Sequence, residues 1–140
     1  MDELTPAPID KVGLALIREA RLLLARNDGA EVFQIPGGKV EPGDADDRGA
    51  LQREIREELG LNLDVSKLEF LGHFSAEAAG KANRLVQVKL FGGDVEGDPA
   101  PKSEIAELLW LAPFNAKPPP VSAVVGNKIL PLVRGVIGGS

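Results

Sequence analysis

The sequence predicts an α/β sandwich built on a mixed β-sheet. Three observations lead there. Short runs rich in Val, Leu and Ile alternate with turn residues; one early helix is strongly amphipathic; and one late helical stretch follows a proline run. The 140 residues suit one domain, residues 1–140. With 44% hydrophobic and 26% charged residues, such a chain can bury most of its unfolded surface in a single core.

Residues 9–17 read as a strand, and Glu19-Ala20 can turn it into a second, residues 21–26. Asn27-Asp28-Gly29 is a turn, because these residues tolerate positive φ. A short strand at 31–35 stops at Pro36-Gly37-Gly38, and a loop runs on through Pro42-Gly43. The first helix covers residues 46–59. Asp44, Asp46 and Asp47 offer a cap and acids for its positive end, and Gly60 ends it. Leu51, Ile55 and Leu59 form one apolar stripe that would dock on a sheet. Strands at 68–75 and 84–91 follow, joined by a polar loop at 77–83, then a turn-rich stretch and a strand at 107–111. Pro118-Pro119-Pro120 is a stiff connector to a helix at 121–137, which Pro131 interrupts. No internal repeat is visible.

Composition excludes several classes. Without cysteine there is neither a disulfide nor a thiolate metal site, so a metal must sit on oxygen ligands or on the single His73. His73 lies in an apolar strand and reads as a strand histidine. The lack of cysteine fits a reducing, cytoplasmic setting. The segment MDELTPAPIDK is acidic and lacks a signal peptide's apolar core. No apolar run approaches the roughly 18 residues of a membrane span. A net charge of −5 disfavours nucleic-acid polymers, whose binding depends on Lys and Arg. A small phosphorylated ligand remains possible where a metal or local cations screen its charge.

The segment GGKVEPGDADDRGALQREIREELG, residues 37–60, carries the chemistry. Glu54, Glu57 and Glu58 are three and four residues apart, which places them on one helix face. Like charges so spaced cost roughly a few tenths of a kcal/mol per pair. Glu57 and Glu58 also sit at the helix end that prefers cations. A solvated face paired with Arg53 and Arg56 is one explanation. A hard cation such as magnesium is the other, since it takes a few carboxylate oxygens plus waters.

This segment resembles the signature of the Nudix hydrolase family, G-x5-E-x7-R-E-U-x-E-E-x-G-U with U aliphatic. Gly38 is the first glycine, and residues 53–61 match the second half position by position. Asp44 stands where the first Glu belongs, and one extra residue precedes Arg53. The resemblance implies an α/β/α sandwich with a mixed sheet. It also implies a magnesium-dependent pyrophosphohydrolase, with manganese able to substitute, acting on a nucleoside diphosphate linked to another group.

Carried over by position, Glu57 and Glu58 are metal ligands, and Glu54 is a further ligand or the base. The Gly38 carbonyl completes the shell, and Arg53 holds the glutamates. A later acid is also expected, Glu107 by the better alignment, with Glu104 the alternative. Lys39 either faces phosphate or is a solvated loop lysine. Phe33 stacks near a base or belongs to the core. Arg26 contacts phosphate or base. Asn127 resembles a purine-reading Asn or caps the last helix, and Leu130-Pro131 fits the family's last helix. The substrate expected first is a (d)NTP, including an oxidised purine nucleotide. ADP-ribose or a dinucleoside polyphosphate is the alternative, as is a non-catalytic nucleotide-binding module or an acidic interface helix. The partner expected is a small nucleotide, for a monomer or homodimer, with no nucleic acid polymer and no membrane.

Overall fold

A computed structural model describes residues 7–77 and 84–138. The elements are β1 (Ile9–Ala15), β2 (Ile17–Arg18), β3 (Arg21–Asn27), β4 (Gly37–Lys39), α1 (Asp47–Leu59), β5 (Glu69–Glu77), β6 (Leu85–Gly92), β7 (Ile105–Leu111) and α2 (Leu130–Gly138). A four-stranded sheet runs in the order β4-β1-β6-β5, and a three-stranded sheet in the order β2-β3-β7. The first sheet is mixed: β1 and β6 are parallel, while β4 and β5 pair antiparallel to their neighbours. Part of the expected polar loop at 77–83 lies outside the described residues.

Alternation along the strands builds two apolar layers. Val12, Leu14, Leu16 and Leu23 pack with Ala50, Leu51, Ile55 and Leu59 of α1. Ile9, Leu22, Leu24 and Val88 pack on the other side with Val124, Ile129, Leu130 and Val133 of the C-terminal helix. The result is the α/β/α sandwich expected from the sequence.

Helix α1 begins and ends as its sequence dictates. The Asp46 carboxylate accepts from the Gly49 N–H at 2.7 Å. Gly60 adopts φ 71° and donates to the Arg56 carbonyl at 3.0 Å. Two more of its terminal carbonyls are satisfied from far along the chain. Lys102 N–H donates to Glu58 O at 2.9 Å, and Ala100 N–H to Leu59 O at 3.2 Å.

Three expectations need correction. Residues 31–35 form no strand, only isolated bridges of Phe33 to Val121 and of Gln34 to Ala25. Gly37–Lys39, expected to be loop, is strand β4, paired with β1 through Gly37↔Gly13, Gly38↔Val12 and Lys39↔Lys11. Glycine masked it: Gly37 has φ 145°, and a Cβ there would lie 2.0 Å from the Val12 carbonyl oxygen. Pro131 does not interrupt the last helix. The turn before it, Val125–Ile129, is a wider π-type turn in which Leu130 N–H reaches back to Val125 O. That widening makes room for a ring that would otherwise crowd the carbonyl four residues earlier.

The β2–β3 hairpin turns on Glu19 and Ala20, with φ 52° and 61°. Both values suit a two-residue primed turn, where Asn-Gly is favoured. Ala20→Gly should therefore raise stability by about 1 kcal/mol, the usual left-handed penalty for a residue with a Cβ. A higher urea midpoint at unchanged slope would register it, and an unaltered midpoint would refute it.

Candidate active site

The Glu54 carboxyl of α1 lies directly against the β4 backbone at Gly38. A Cβ on Gly38 would lie 2.5 Å from the Glu54 carboxyl group. Gly37 N–H donates to Glu58 Oε1 at 3.2 Å. Burial pushes the Glu58 carboxyl up to about 8. The charge of Glu54 pushes the same way, while the Gly37 N–H and the charge of Lys11 oppose it. Burial and a neighbouring carboxylate both disfavour the charged form of Glu58.

Arg53 organises the other side. It donates to both oxygens of Asp44, from Nε at 2.8 Å and Nη2 at 2.9 Å. It also reaches Glu54 Oε2 at 3.0 Å, Glu57 Oε1 at 3.3 Å and the Lys39 carbonyl at 3.1 Å. Forked, charge-assisted bonds of this kind fix geometry as well as energy. Their combined effect raises the Arg53 pKa, with the Asp44 bond foremost. Hydrogen bonds from Arg53, then from the Glu41 N–H, hold the Asp44 carboxyl down to about 2. The Asp44 side chain is only 7% exposed, and its cover includes the guanidinium it binds. Asp44 thus anchors Arg53 from the position where the signature has Glu. The neighbouring turn locks it, with Glu41 N–H on Asp44 Oδ2 and Asp44 N–H on Glu41 O.

The glutamates open onto a cleft that Asn27, Glu41, Ser103 and Glu104 complete. Glu104 reaches it because its segment is tied down twice. Its carbonyl accepts from Asp28 N–H at 2.7 Å, and Lys102 N–H holds the end of α1. Ser103 between them has φ 55°, a left-handed kink that redirects the chain. Glu107 does not line this cleft. It pairs with Arg26 across β3 and β7 at 3.2 Å, so these two predicted residues satisfy each other. Among the described residues, no three acidic side chains are already gathered as a metal cage.

A second, more apolar cleft adjoins the first and shares Asn27 and Glu58 with it. Lys11, Gln34, Val88, Ser122 and Val124 also line it. Sequence reasoning missed these residues, although strict alternation with Phe33 could have put Gln34 on the cleft side. Phe33 itself is 7% exposed and sits in the core beneath the last helix. Asn127 is exposed on the π-type turn and lines neither cleft. The Lys39 side chain is exposed while its carbonyl serves Arg53. His73 is exposed on β5, at the sheet edge opposite β4.

The raised Glu58 has a stability consequence. Its folded value, about 8, exceeds its ordinary value of 4.5, so the neutral form favours the fold. That contribution is full below pH 4.5 and disappears as pH rises through 8. In EDTA the melting temperature should fall over this window, and Glu58→Gln should flatten the fall. A metal-free profile that rises there would contradict the burial argument.

The NUDIX domain family model matches residues 8–132. The CTP pyrophosphohydrolase of Escherichia coli (strain K12) is 33% identical over 114 residues, 77% of this chain and 78% of that protein. A Bacillus subtilis (strain 168) protein provisionally named an 8-oxo-dGTP diphosphatase is 28% identical over 100 residues, 71% of this chain and 63% of its own length. The crystal structure of a MutT NUDIX hydrolase from Burkholderia pseudomallei superposes with TM-score 0.71 and 26% identity, covering 89% of this chain and 96% of that one. Nudix hydrolases generally need divalent metal ions. With its acid-bearing helix, glycine strand and sandwich, the chain belongs to the Nudix family of pyrophosphohydrolases.

Proposed function

We propose that the chain hydrolyses a nucleoside triphosphate to the monophosphate and pyrophosphate, with magnesium bound at Glu54, Glu57, Glu58 and the Gly38 carbonyl. The observation that carries this reading is the junction of two clefts at Asn27 and Glu58. One is acidic and suits a metal-bound polyphosphate; the other is enclosed by Val88 and Val124 and suits a base.

The donor set fits a hard divalent ion. Carboxylate oxygens and a backbone carbonyl are its preferred ligands, and magnesium keeps several waters, so a gathered cage is not required. The Glu54 carboxyl occupies the space that a Cβ on Gly38 would take, so a carboxylate and the Gly38 backbone meet there. When bound, the ion neutralises phosphate charge and lowers the pKa of water.

The chain's own residues supply the rest. Arg53 keeps Glu54 and Glu57 from drifting into solvent. Water adds to one phosphorus, the bridging P–O bond breaks, and a carboxylate takes the water's proton; Glu54 is the base we assign. Glu104 takes the part of the late acid in place of Glu107, because it lines the acidic cleft while Glu107 is paired to Arg26. For the base, the E. coli relative's name points to CTP and the B. subtilis relative's name to an oxidised purine.

Pyrophosphate release from a panel of (d)NTPs, 8-oxo-dGTP, ADP-ribose and dinucleoside polyphosphates should occur with magnesium and stop in EDTA. Glu54→Gln should lower kcat by roughly 10²–10⁴-fold, the usual worth of a general base. Glu104→Gln should cost more activity than Glu107→Gln. Magnesium-independent or absent turnover across the whole panel would end the hydrolase reading, and the reverse order of the last two variants would return the late acid to Glu107.

A further inference from the structure

We propose that Arg18 of β2 is a positioning residue for Glu104; this rests on the reading of Glu104 as the late acid beside the metal. The Glu104 carboxylate makes no hydrogen bond or ion pair among the described residues. Its place in the acidic cleft is therefore set by the backbone that carries it, residues 94–104 between β6 and β7. Arg18 lines a different cleft, with Trp110, Asp94 and Asp98, so its effect on Glu104 travels along that segment.

Arg18 grips the start of the segment with its whole fork. Nε donates to Asp94 Oδ1 at 3.0 Å, and Nη2 lies 2.9 Å from the same oxygen. Nη2 also donates to the Val95 carbonyl, and Nη1 lies 3.7 Å from Asp98 Oδ1. The guanidinium stands 5.9 Å from the centre of the Trp110 ring. Val95 is buried in the layer that holds Leu61 and Leu63, so the gripped backbone is also packed from below. The Asp94 and Asp98 side chains are 68% and 102% exposed, and ion pairs to acids so exposed add little to stability. What the fork fixes is the path of the backbone.

A stiff connection carries that path forward. Pro99 and Pro101 restrict the backbone on either side of Ala100. Ala100 N–H and Lys102 N–H reach the Leu59 and Glu58 carbonyls, which lays the segment along the end of the helix that bears Glu54, Glu57 and Glu58. A Cβ on Gly60 would lie 2.5 Å from Lys102 Cε, so the Lys102 stem rests directly on that glycine. Ile105 N–H donates to the Lys102 carbonyl at 3.0 Å, Ser103 takes its left-handed turn, and Glu104 emerges in the cleft. Arg18 holds one end of this connection and α1 the other. Without Arg18 the proline-stiffened part is free to pivot about its contacts with α1, and Glu104 moves with it.

Affinity for Mn2+ reads the position of Glu104 without any turnover. It is measured by electron paramagnetic resonance of the free ion for the wild type, Arg18→Gln, Asp94→Asn, Glu104→Gln and the double variant Arg18→Gln/Glu104→Gln. Glu104→Gln should weaken binding by about tenfold or more, because a carboxylate oxygen is a preferred ligand of a hard ion. Arg18→Gln should weaken it by about threefold, less than the roughly 10–100-fold seen when a ligand's direct partner is removed. Asp94→Asn loosens the same grip from the other side, keeps the arginine beside Trp110 and should act likewise. In the double variant Arg18→Gln should add no further loss, since residues that act through one another are non-additive. A general loosening of the fold would instead add its loss to that of Glu104→Gln. Full binding in Arg18→Gln and Asp94→Asn, or additive losses in the double variant, would overturn the Arg18 assignment and leave the hydrolase reading intact. Unchanged affinity in Glu104→Gln would overturn the late-acid reading and this inference together. Non-additive losses without turnover of any nucleotide would leave Arg18 a positioning residue and end the hydrolase reading alone.

Discussion

The glycine backbone of β4 lies between β1 and the carboxyl groups of α1, and the site depends on that placement. A side chain at Gly37 would strike the Val12 carbonyl, and one at Gly38 would strike the Glu54 carboxyl. Because both positions are glycine, a strand edge and a helix face meet with only polar groups between them. Gly37 N–H can then hold Glu58, and the Lys39 carbonyl can hold Arg53. The apolar layer below makes the contact rigid: Leu51, Ile55 and Leu59 anchor α1 against Val12 and Leu14. Glutamates on a mobile helix would turn outward, since their repulsion is least in water.

Crowding acids in a sheltered place requires compensation, and the sources are unequal. Glu57 is 54% exposed, so water meets most of its needs. Glu54 is 13% exposed and leans on Arg53. Glu58 lies on the strand side, where Gly37 N–H and the charge of Lys11 only partly offset burial, so its neutral form is favoured. Arg53 cannot correct this, because it is committed to Asp44, Glu54, Glu57 and the Lys39 carbonyl. What is missing is positive charge on the inner side, between Glu54 and Glu58, and a divalent cation would supply it by displacing the proton.

Features fixed by neighbouring residues were legible in the sequence. Asp46 and Gly60 bound α1 as their chemistry requires, and the stripe of Leu51, Ile55 and Leu59 is buried as its period implies. Features fixed by distant residues were not. Strand β4 was hidden because two glycines look like a stop signal, and only its pairing with β1 makes it a strand. Which of Glu104 and Glu107 lines the acidic cleft turned on Arg26, a residue across the sheet, and on a left-handed Ser103. Phe33 could be core or cleft until the last helix covered it. Asn127 drew attention as an amide near a helix start, yet the π-type turn leaves it exposed.

The same distinction separates the two clefts. The acidic one is written largely in a single continuous segment, because helical spacing and a glycine strand suffice to assemble most of it. The enclosed one draws on β1, β3, the 33–34 segment, β6 and the start of the last helix, and no short stretch announces it. Chemistry that needs like residues at fixed local spacing leaves a motif, whereas discrimination between bases needs unlike residues converging from several strands. In this fold the reaction class is accordingly local information and the preferred base is tertiary information. The two clefts share Asn27 and Glu58, and on the proposed reading that junction is where the two would meet.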